Sequence, residues 1–321
     1  MKKALVLLLA LFPIWAIGQT DVQLSQQLFS RVNYNPAATG ASNYVNIFLM
    51  AREQWVGFKE APSTQIFNIH NYFNNIRSGV GLSLINDKLG LMNSFNAKLS
   101  YAYHIHFNED AYLSLGLSGG ILYKKFDKAK AVLESQYNDQ IFATYMNRPT
   151  KVNPDFDFGV EFNTRKFQVG LSTTHLNNVA KKVQDIKLLE SNRHIYMYTK
   201  YIFNVGRADT WKLVPTLMGI NNLNTFSFEI NGMAYYRERF WFGLSYRFDE
   251  KSSGEPGLIS SESLIGIVGL NITDFLRLGY SYDFNIGPVK NPSSGTHEIM
   301  LSLRLAKDND YGGRKSPRFF E

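Results

Sequence analysis

The sequence contains no cysteine, which excludes a disulfide framework and any thiolate metal site. Beyond the N-terminal stretch it has no apolar run near 18 residues, so no segment is long enough to cross a membrane as a helix. It has no glycine-rich loop between a strand and a helix. Gly79-Val80-Gly81 lies inside a strand-like run, which removes the phosphate-loop reading. His297-Glu298 is not followed by a second His at helical spacing, so there is no zinc-protease signature. Nor does one sign of charge dominate. The formal net charge of +7 falls to +5 without Lys2 and Lys3. So modest and dispersed an excess reads as a solvated surface, and no nucleic-acid partner is expected of an exported chain.

The start of the chain argues for export. Lys2 and Lys3 form a positive n-region, Ala4 to Ile14 an apolar core, and Ala16 and Gly18 the small residues before a cleavage site at Gln19. That core is too short to span the roughly 30 Å of hydrocarbon, and polar sequence follows at once. With no cysteine after it, lipoprotein anchoring does not apply. Residues 1–18 are therefore expected to be a signal peptide.

What is abundant is aromatic. Phe, Tyr and Trp make up 14% of the residues, and they recur with period two, as in a strand with one buried or lipid-facing side. Phe156, Phe158, Val160 and Phe162 alternate with Asp155, Asp157, Gly159 and Glu161. Phe240, Phe242, Leu244, Tyr246 and Phe248 alternate with Trp241, Gly243, Ser245 and Arg247. Leu276, Leu278, Tyr280, Tyr282 and Phe284 alternate with Arg277, Gly279, Ser281 and Asp283. A water-soluble sandwich also alternates. Here, however, the second face is rich in Gly and Ser and carries Lys98, Asp157, Glu161, Glu229, Arg247, Arg277 and Arg304, while the first is almost wholly apolar. Lipid outside and a polar lumen inside fit that contrast.

The expected fold is thus all-β: a single transmembrane antiparallel β-barrel of outer-membrane type with about fourteen strands, the range being twelve to sixteen. The strands are expected at 45–54, 63–73, 77–86, 93–107, 111–125, 154–163, 166–176, 194–204, 211–221, 225–236, 239–249, 261–270, 274–285 and 296–305. Alternation is blurred in 194–204 and 261–270. Short connections follow the even strands and mostly longer ones the odd strands: 55–62, 87–92, 126–153, 177–193, 250–260 and 286–295. In outer-membrane barrels the short turns are periplasmic and the long loops extracellular. The chain then divides into the signal, an N-terminal periplasmic or lumenal segment over 19–43, the barrel over 44–305, and a basic periplasmic tail over 306–321. Loop 126–153 has a weak helical pattern at Ala129–Met146; it either folds inward as a plug or stands outward as a binding surface.

Candidate chemistry is sparse. His104 and His106 share a strand face, but a metal site needs three or four ligands and nothing nearby completes the set. Asp157, Glu161, Arg247, Arg277 and Asp283 are expected to pair across the lumen, as buried charges must. No nucleophile–base pair is legible, no cofactor is implied, and no enzyme is expected. The most distinctive runs stand near the start. Tyr34-Asn35-Pro36-Ala37-Ala38-Thr39-Gly40 is a turn cluster. Arg52-Glu53-Gln54-Trp55-Val56-Gly57-Phe58 with Ala61-Pro62-Ser63-Thr64 fills the first outer connection. Turn chemistry and an interfacial Trp account for both without a ligand.

These runs also resemble the PorP/SprF family of type IX secretion system membrane proteins of Bacteroidota. The likeness rests on the Gln-rich lead Gln23 to Gln27, on Asn35, Pro36 and Gly40, and on Arg52, Gln54, Trp55, Gly57, Phe58, Pro62 and Thr64. Gly79-Val80-Gly81-Leu82, Asp87-Lys88-Leu89-Gly90, Ser100-Tyr101-Ala102-Tyr103 and Gly295-Thr296-His297-Glu298-Ile299 extend it over about residues 20–305. Typical members stop soon after the last strand, whereas this chain runs on to Glu321, so strand 296–305 would carry the assembly signal internally. The resemblance implies a non-enzymatic accessory barrel of the outer membrane that supports export and surface attachment of partner proteins, such as adhesins used in gliding. Its implied partners are the C-terminal domain of a secreted cargo, other secretion components and the lipid bilayer. The alternative is a barrel transporting a small solute or hydrophobic ligand. Intact mass spectrometry of the protein from outer membranes should return the mass of residues 19–321; an uncleaved chain would contradict the signal reading.

Overall fold

The computed structural model describes residues 22–42, 44–127, 151–177, 180–183, 186–189, 192–206, 210–222, 226–250, 259–286 and 294–305. Fourteen antiparallel strands close into one barrel: β1 (Val45–Glu53), β2 (Ser63–Phe73), β3 (Ser78–Leu89), β4 (Met92–His106), β5 (Tyr112–Phe126), β6 (Lys151–Asn163), β7 (Phe167–Thr174), β8 (His194–Tyr201), β9 (Trp211–Asn221), β10 (Phe226–Tyr236), β11 (Phe240–Glu250), β12 (Ile259–Asn271), β13 (Leu276–Asn285) and β14 (Thr296–Leu305). Each strand pairs with its sequence neighbours, and β1 pairs with β14 to close the cylinder, Val45 opposite Leu305 and Glu53 opposite His297. Closure leaves no edge unpaired, the condition for a sheet in lipid. β8 is interrupted at Ile202 and resumes as Phe203–Val205, both pieces pairing with β9.

The expected strands and the count of fourteen hold, with local differences. β3 runs on to Leu89 and β4 begins one residue early, at Met92, so the connection read as 87–92 shrinks to Gly90 and Leu91. Gly90 there takes φ +58, a turn position where glycine carries no steric penalty. The connection read as 177–193 contains a small hairpin, Ala180–Val183 with Ile186–Leu189. Residues 128–150, with the helical pattern at Ala129–Met146, lie outside the described residues, as do 1–21 and 306–321.

The outward rows meet the lipid. Leu99, Leu117, Leu171, Phe242, Leu244 and Ile299 stand 52–66% exposed. Aromatics ring both rims: Phe73, Phe107, Phe203, Trp211, Phe240 and Phe275 at the short-turn end, and Trp55, Phe58, Phe95, Phe226 and Phe284 at the other. Such girdles mark the two interfaces of an outer-membrane barrel.

The inward rows are less uniformly polar than the sequence suggested. Phe48, Met50, Ile66, Val214, Met233, Trp241, Ile265, Ile267 and Met300 point inward and form one apolar cluster with Leu24. Tyr196 and Tyr198 point inward against Tyr34. The two strands with blurred alternation are explained by this. β8 carries Tyr196, Tyr198 and Ile202 inward, and β12 carries Ile265 and Ile267, so both faces of each strand are apolar. On the outer face Leu244, near mid-strand in β11, tests the lipid assignment. Leu244→Arg should destabilise the barrel by about 2–4 kcal/mol, lowering the temperature at which its gel mobility shifts on heating; an unchanged shift would place Leu244 outside the hydrocarbon.

Candidate functional site

The apolar cluster and the inward charges share one purpose, which is to hold a segment of the same chain. Residues 22–42 run inside the barrel. At one end, the Gln23 side chain donates to the Ser227 hydroxyl (2.9 Å) at the long-loop end of β10. At the other, the Thr39 carbonyl accepts from His104 Nε2 (3.0 Å) near the short-turn end of β4. Between these ends lie three short 3-10 turns, Gln27–Phe29, Arg31–Asn33 and Pro36–Ala38. The last follows from its sequence. The Asn35 side chain caps it by accepting from the Ala37 amide (2.9 Å), and Pro36 occupies the first position, where no N–H is needed.

The wall is cut away to receive that turn. Gly79, Ala102, Gly116, Gly159 and Ser172 stand opposite one another on consecutive strands β3 to β7, forming a single row of small residues across the sheet. A Cβ at Gly79 would overlap the Thr39 carbonyl, one at Gly116 the Ala37 amide, and one at Gly159 the Asn35 side chain. Ser172 donates to the Tyr34 carbonyl (2.6 Å). Gly40, at φ +73, passes against the Gly79 backbone, and its amide donates to His70 Nδ1 (3.1 Å). Backbone thus lies directly on backbone, an approach only glycine permits.

Ions fasten the other end. Arg52 on β1 and Glu298 on β14 are opposite one another at the closing seam and pair at 3.0 Å, both buried. The Glu298 carboxylate also accepts from the Ser25 amide (3.0 Å) and the Gln26 amide (2.7 Å). Arg52 reaches Asp283 (2.9 Å) and donates to the Ser25 hydroxyl (2.6 Å). Gln54, with its amide oriented to satisfy both groups, accepts from Arg52 Nε (2.9 Å) and Nη2 (3.1 Å). Arg247 pairs with Glu229 (2.8 Å) and donates to the Leu24 carbonyl (3.1 Å). Midway, Arg31 pairs with Glu161 (3.2 Å), which also accepts from the Tyr198 hydroxyl. Asn35 in turn donates to Tyr198 Oη (2.9 Å). Lys98 sits between Asp155 (2.9 Å) and Asp157 (2.8 Å), with His175 on Asp155.

The motif residues therefore divide. Asn35, Pro36 and Gly40 shape the segment inside, and Arg52 and Gln54 anchor it from the wall. Thr64, also inward, donates to Asp87 (2.6 Å). Pro62 is buried, and its carbonyl accepts from the Gln54 amide (2.9 Å). Trp55, Gly57 and Phe58 do not join the cluster. They form the rim turn, Trp55 at φ +49 and Gly57 at φ +104, with both rings exposed. Sequence reasoning missed Ser25, Glu298 and Asp283 as partners of Arg52, and the small-residue row. Neither pattern is local, and only the strand register aligns them. The pairing of inward charges was expected and holds for Asp157, Glu161, Arg247 and Asp283. Arg277 stacks on Phe29 (5.4 Å) and Trp241 (5.3 Å) and donates to the Asn271 side chain (3.2 Å). His104 has both ring nitrogens engaged, Nε2 donating to the Thr39 carbonyl and Nδ1 hydrogen-bonded to the Ser114 hydroxyl (3.0 Å), which latches the segment to β4. Among the described residues no three metal-ligating side chains converge.

A model of the family described as type IX secretion system membrane protein PorP/SprF matches residues 16–303. No curated protein matches the sequence. Among solved structures, a monoaromatic hydrocarbon channel, the TodX deltaS2S3 mutant, is similar at TM-score 0.50 and 8% identity, over 91% of this chain and 97% of its own. The Ralstonia pickettii toluene transporter TbuX gives 0.48 and 10%, over 87% and 93%. The Acinetobacter baumannii outer membrane protein Omp33 gives 0.45 and 11%, over 83% and 99%. At such identities only the barrel fold is shared.

Arg52→Ala would leave Asp283 and Glu298 facing each other without their shared cation. A loss of about 3–5 kcal/mol is expected for breaking a buried pair in this way, measured by urea unfolding in detergent; a loss below about 1 kcal/mol, the scale of a surface pair, would show that the seam does not depend on it.

Proposed function

The chain belongs to the PorP/SprF family of type IX secretion system membrane proteins, and on that premise we propose an accessory role in which it binds partner proteins and holds them at the cell surface. Its barrel resides in the outer membrane. The observation that carries the reading is the filled lumen. The chain's own residues 22–42 occupy the interior from one rim to the other, fixed at both ends by buried hydrogen bonds and ion pairs. A secreted polypeptide has no path past them.

Binding then falls to the rim. In this reading the long-loop end faces outward, as in other barrels with short periplasmic turns, and presents the hairpin Ala180–Val183 with Ile186–Leu189 and the turn carrying Trp55 and Phe58. A cargo C-terminal domain is the proposed partner there, with other secretion components engaged from the periplasmic side. No catalytic role is assigned to any residue. The inward carboxylates are saturated by arginine, lysine and amide donors, and serve as fasteners. The transporter alternative would require residues 22–42 to leave the lumen, and it predicts steady channels in planar bilayers where the holding role predicts none.

The absence of cysteine makes the test clean, because one introduced thiol is the only one present. Lys187→Cys, bearing a photo-crosslinker in cells, should capture a secreted protein, and cells lacking the gene should lose a subset of surface proteins. An unchanged set of surface proteins would sink the proposal.

A further inference from the structure

The turn between β10 and β11, Arg237-Glu238-Arg239, lies at the short-turn end of the barrel. Arg237 and Glu238 both take left-handed backbone, at φ +48 and φ +54, in the two central positions of a tight turn that asparagine and glycine ordinarily fill. Larger residues persist in that conformation only where their surroundings hold them. Here the neighbouring connections do so. The Arg237 amide donates to the Thr210 carbonyl (2.8 Å) and the Arg239 amide to the Tyr236 carbonyl (3.0 Å), while the Arg239 carbonyl accepts from the Asn271 amide (2.8 Å). The Asn271 side chain donates to the Glu238 carbonyl, and the Glu238 carboxylate pairs with Lys212. The turn is therefore tied on both sides, before β9 and at the end of β12.

The two arginine side chains take no part in that framework. Both residues are exposed, and neither guanidinium has an ion-pair or hydrogen-bond partner among the described residues. Each lies over a ring instead, Arg237 over Tyr236 at 5.3 Å and Arg239 over Phe240 at 6.0 Å. Tyr236 stands opposite Phe240 on one side and Trp211 on the other, so three outward rings make a continuous stretch of the girdle. Such a girdle marks the level where hydrocarbon gives way to lipid headgroups. Elsewhere at this end a turn arginine is neutralised, as Arg165 is by Asp110. The acid within this turn, Glu238, is turned away to Lys212. A guanidinium held over a ring still has N–H groups to donate, and its fork matches the oxygens of a phosphate. Two free forks stand together at the depth where lipid phosphates lie.

We propose that this turn is a binding site for an anionic phospholipid of the periplasmic leaflet, with the phosphate on Arg237 and Arg239 and the acyl chains along Trp211, Tyr236 and Phe240. A zwitterionic headgroup fits less well, because its own cation would stand against the two arginines. The site does not depend on the secretion role, because it is defined by the barrel wall alone.

Native mass spectrometry of the full-length barrel, released from detergent, tests it with phosphatidylglycerol, phosphatidylcholine of the same acyl chains and inorganic phosphate as probes. Phosphatidylglycerol should give one tightly held lipid per barrel, at least fivefold tighter than phosphatidylcholine. Arg239→Gln, outside the left-handed pair, should weaken it about fivefold, the scale on which one surface cation acts on anionic lipid. Arg237→Gln combined with Arg239→Gln should weaken it at least tenfold while the heat-dependent gel shift stays as in the parent. Lys166→Gln, which removes an exposed cation from another short turn, should leave the affinity unchanged, and excess inorganic phosphate should not displace the lipid. Equal phosphatidylglycerol affinity in Arg239→Gln and the parent would overturn the proposal, as would equal affinity for phosphatidylcholine. A matching loss in Lys166→Gln would overturn it in favour of general surface charge. Displacement by inorganic phosphate would overturn the assignment to a lipid.

Discussion

The ion pair between Arg52 and Glu298 joins three things at once. It sits on the first and last strands, directly across the seam that turns an open sheet into a cylinder. Its carboxylate takes the backbone amides of Ser25 and Gln26, and its guanidinium takes the Ser25 hydroxyl and Asp283. Barrel closure and capture of the N-terminal segment therefore share one buried charge cluster. A buried pair of this kind has desolvation to overcome, and only saturation of the remaining lone pairs and protons offsets it. The segment's own amides supply that saturation, so the seam and the segment stabilise each other.

The other end of the segment is held by shape. The row Gly79, Ala102, Gly116, Gly159 and Ser172 keeps side chains small or absent on five neighbouring strands at one level, and the turn begun by Asn35 and Pro36 lies in the trough. Three glycines in one row loosen a sheet taken by itself. Here the lost side-chain packing is replaced by the segment's backbone and by Tyr34 against Tyr196 and Tyr198. Charge at one rim and close backbone contact at the other hold the chain's own residues 22–42 inside the lumen, and an occupied lumen favours binding over conduction as the functional question.

Much of this was legible in the residues. Outward rows such as Phe240 to Phe248 and Leu276 to Phe284 gave the lipid face directly, because lipid demands the same chemistry at every alternate position. Charges such as Glu161 and Arg247 gave the interior. Legibility failed where the interior was apolar. Tyr196, Tyr198, Ile265 and Ile267 face inward because they pack around residues 22–42, and a strand apolar on both faces has no period-two signal. It failed again over the site. Gly79-Val80-Gly81 could be rejected as a phosphate loop but not recognised as a trough, and Arg52 looked like part of an outer connection.

By itself the sequence determined the barrel, a count of about fourteen strands, the facing of those that alternate cleanly and the family-like blocks around Asn35, Arg52 and Glu298, since each depends on neighbours along the chain or on the solvent a side chain meets. Which block touches which was decided only in three dimensions. Arg52 and Glu298 are 246 residues apart in sequence, and the five small residues of the trough lie on five strands. Register sets those meetings, and register is a property of the closed sheet, written in no single stretch of the chain.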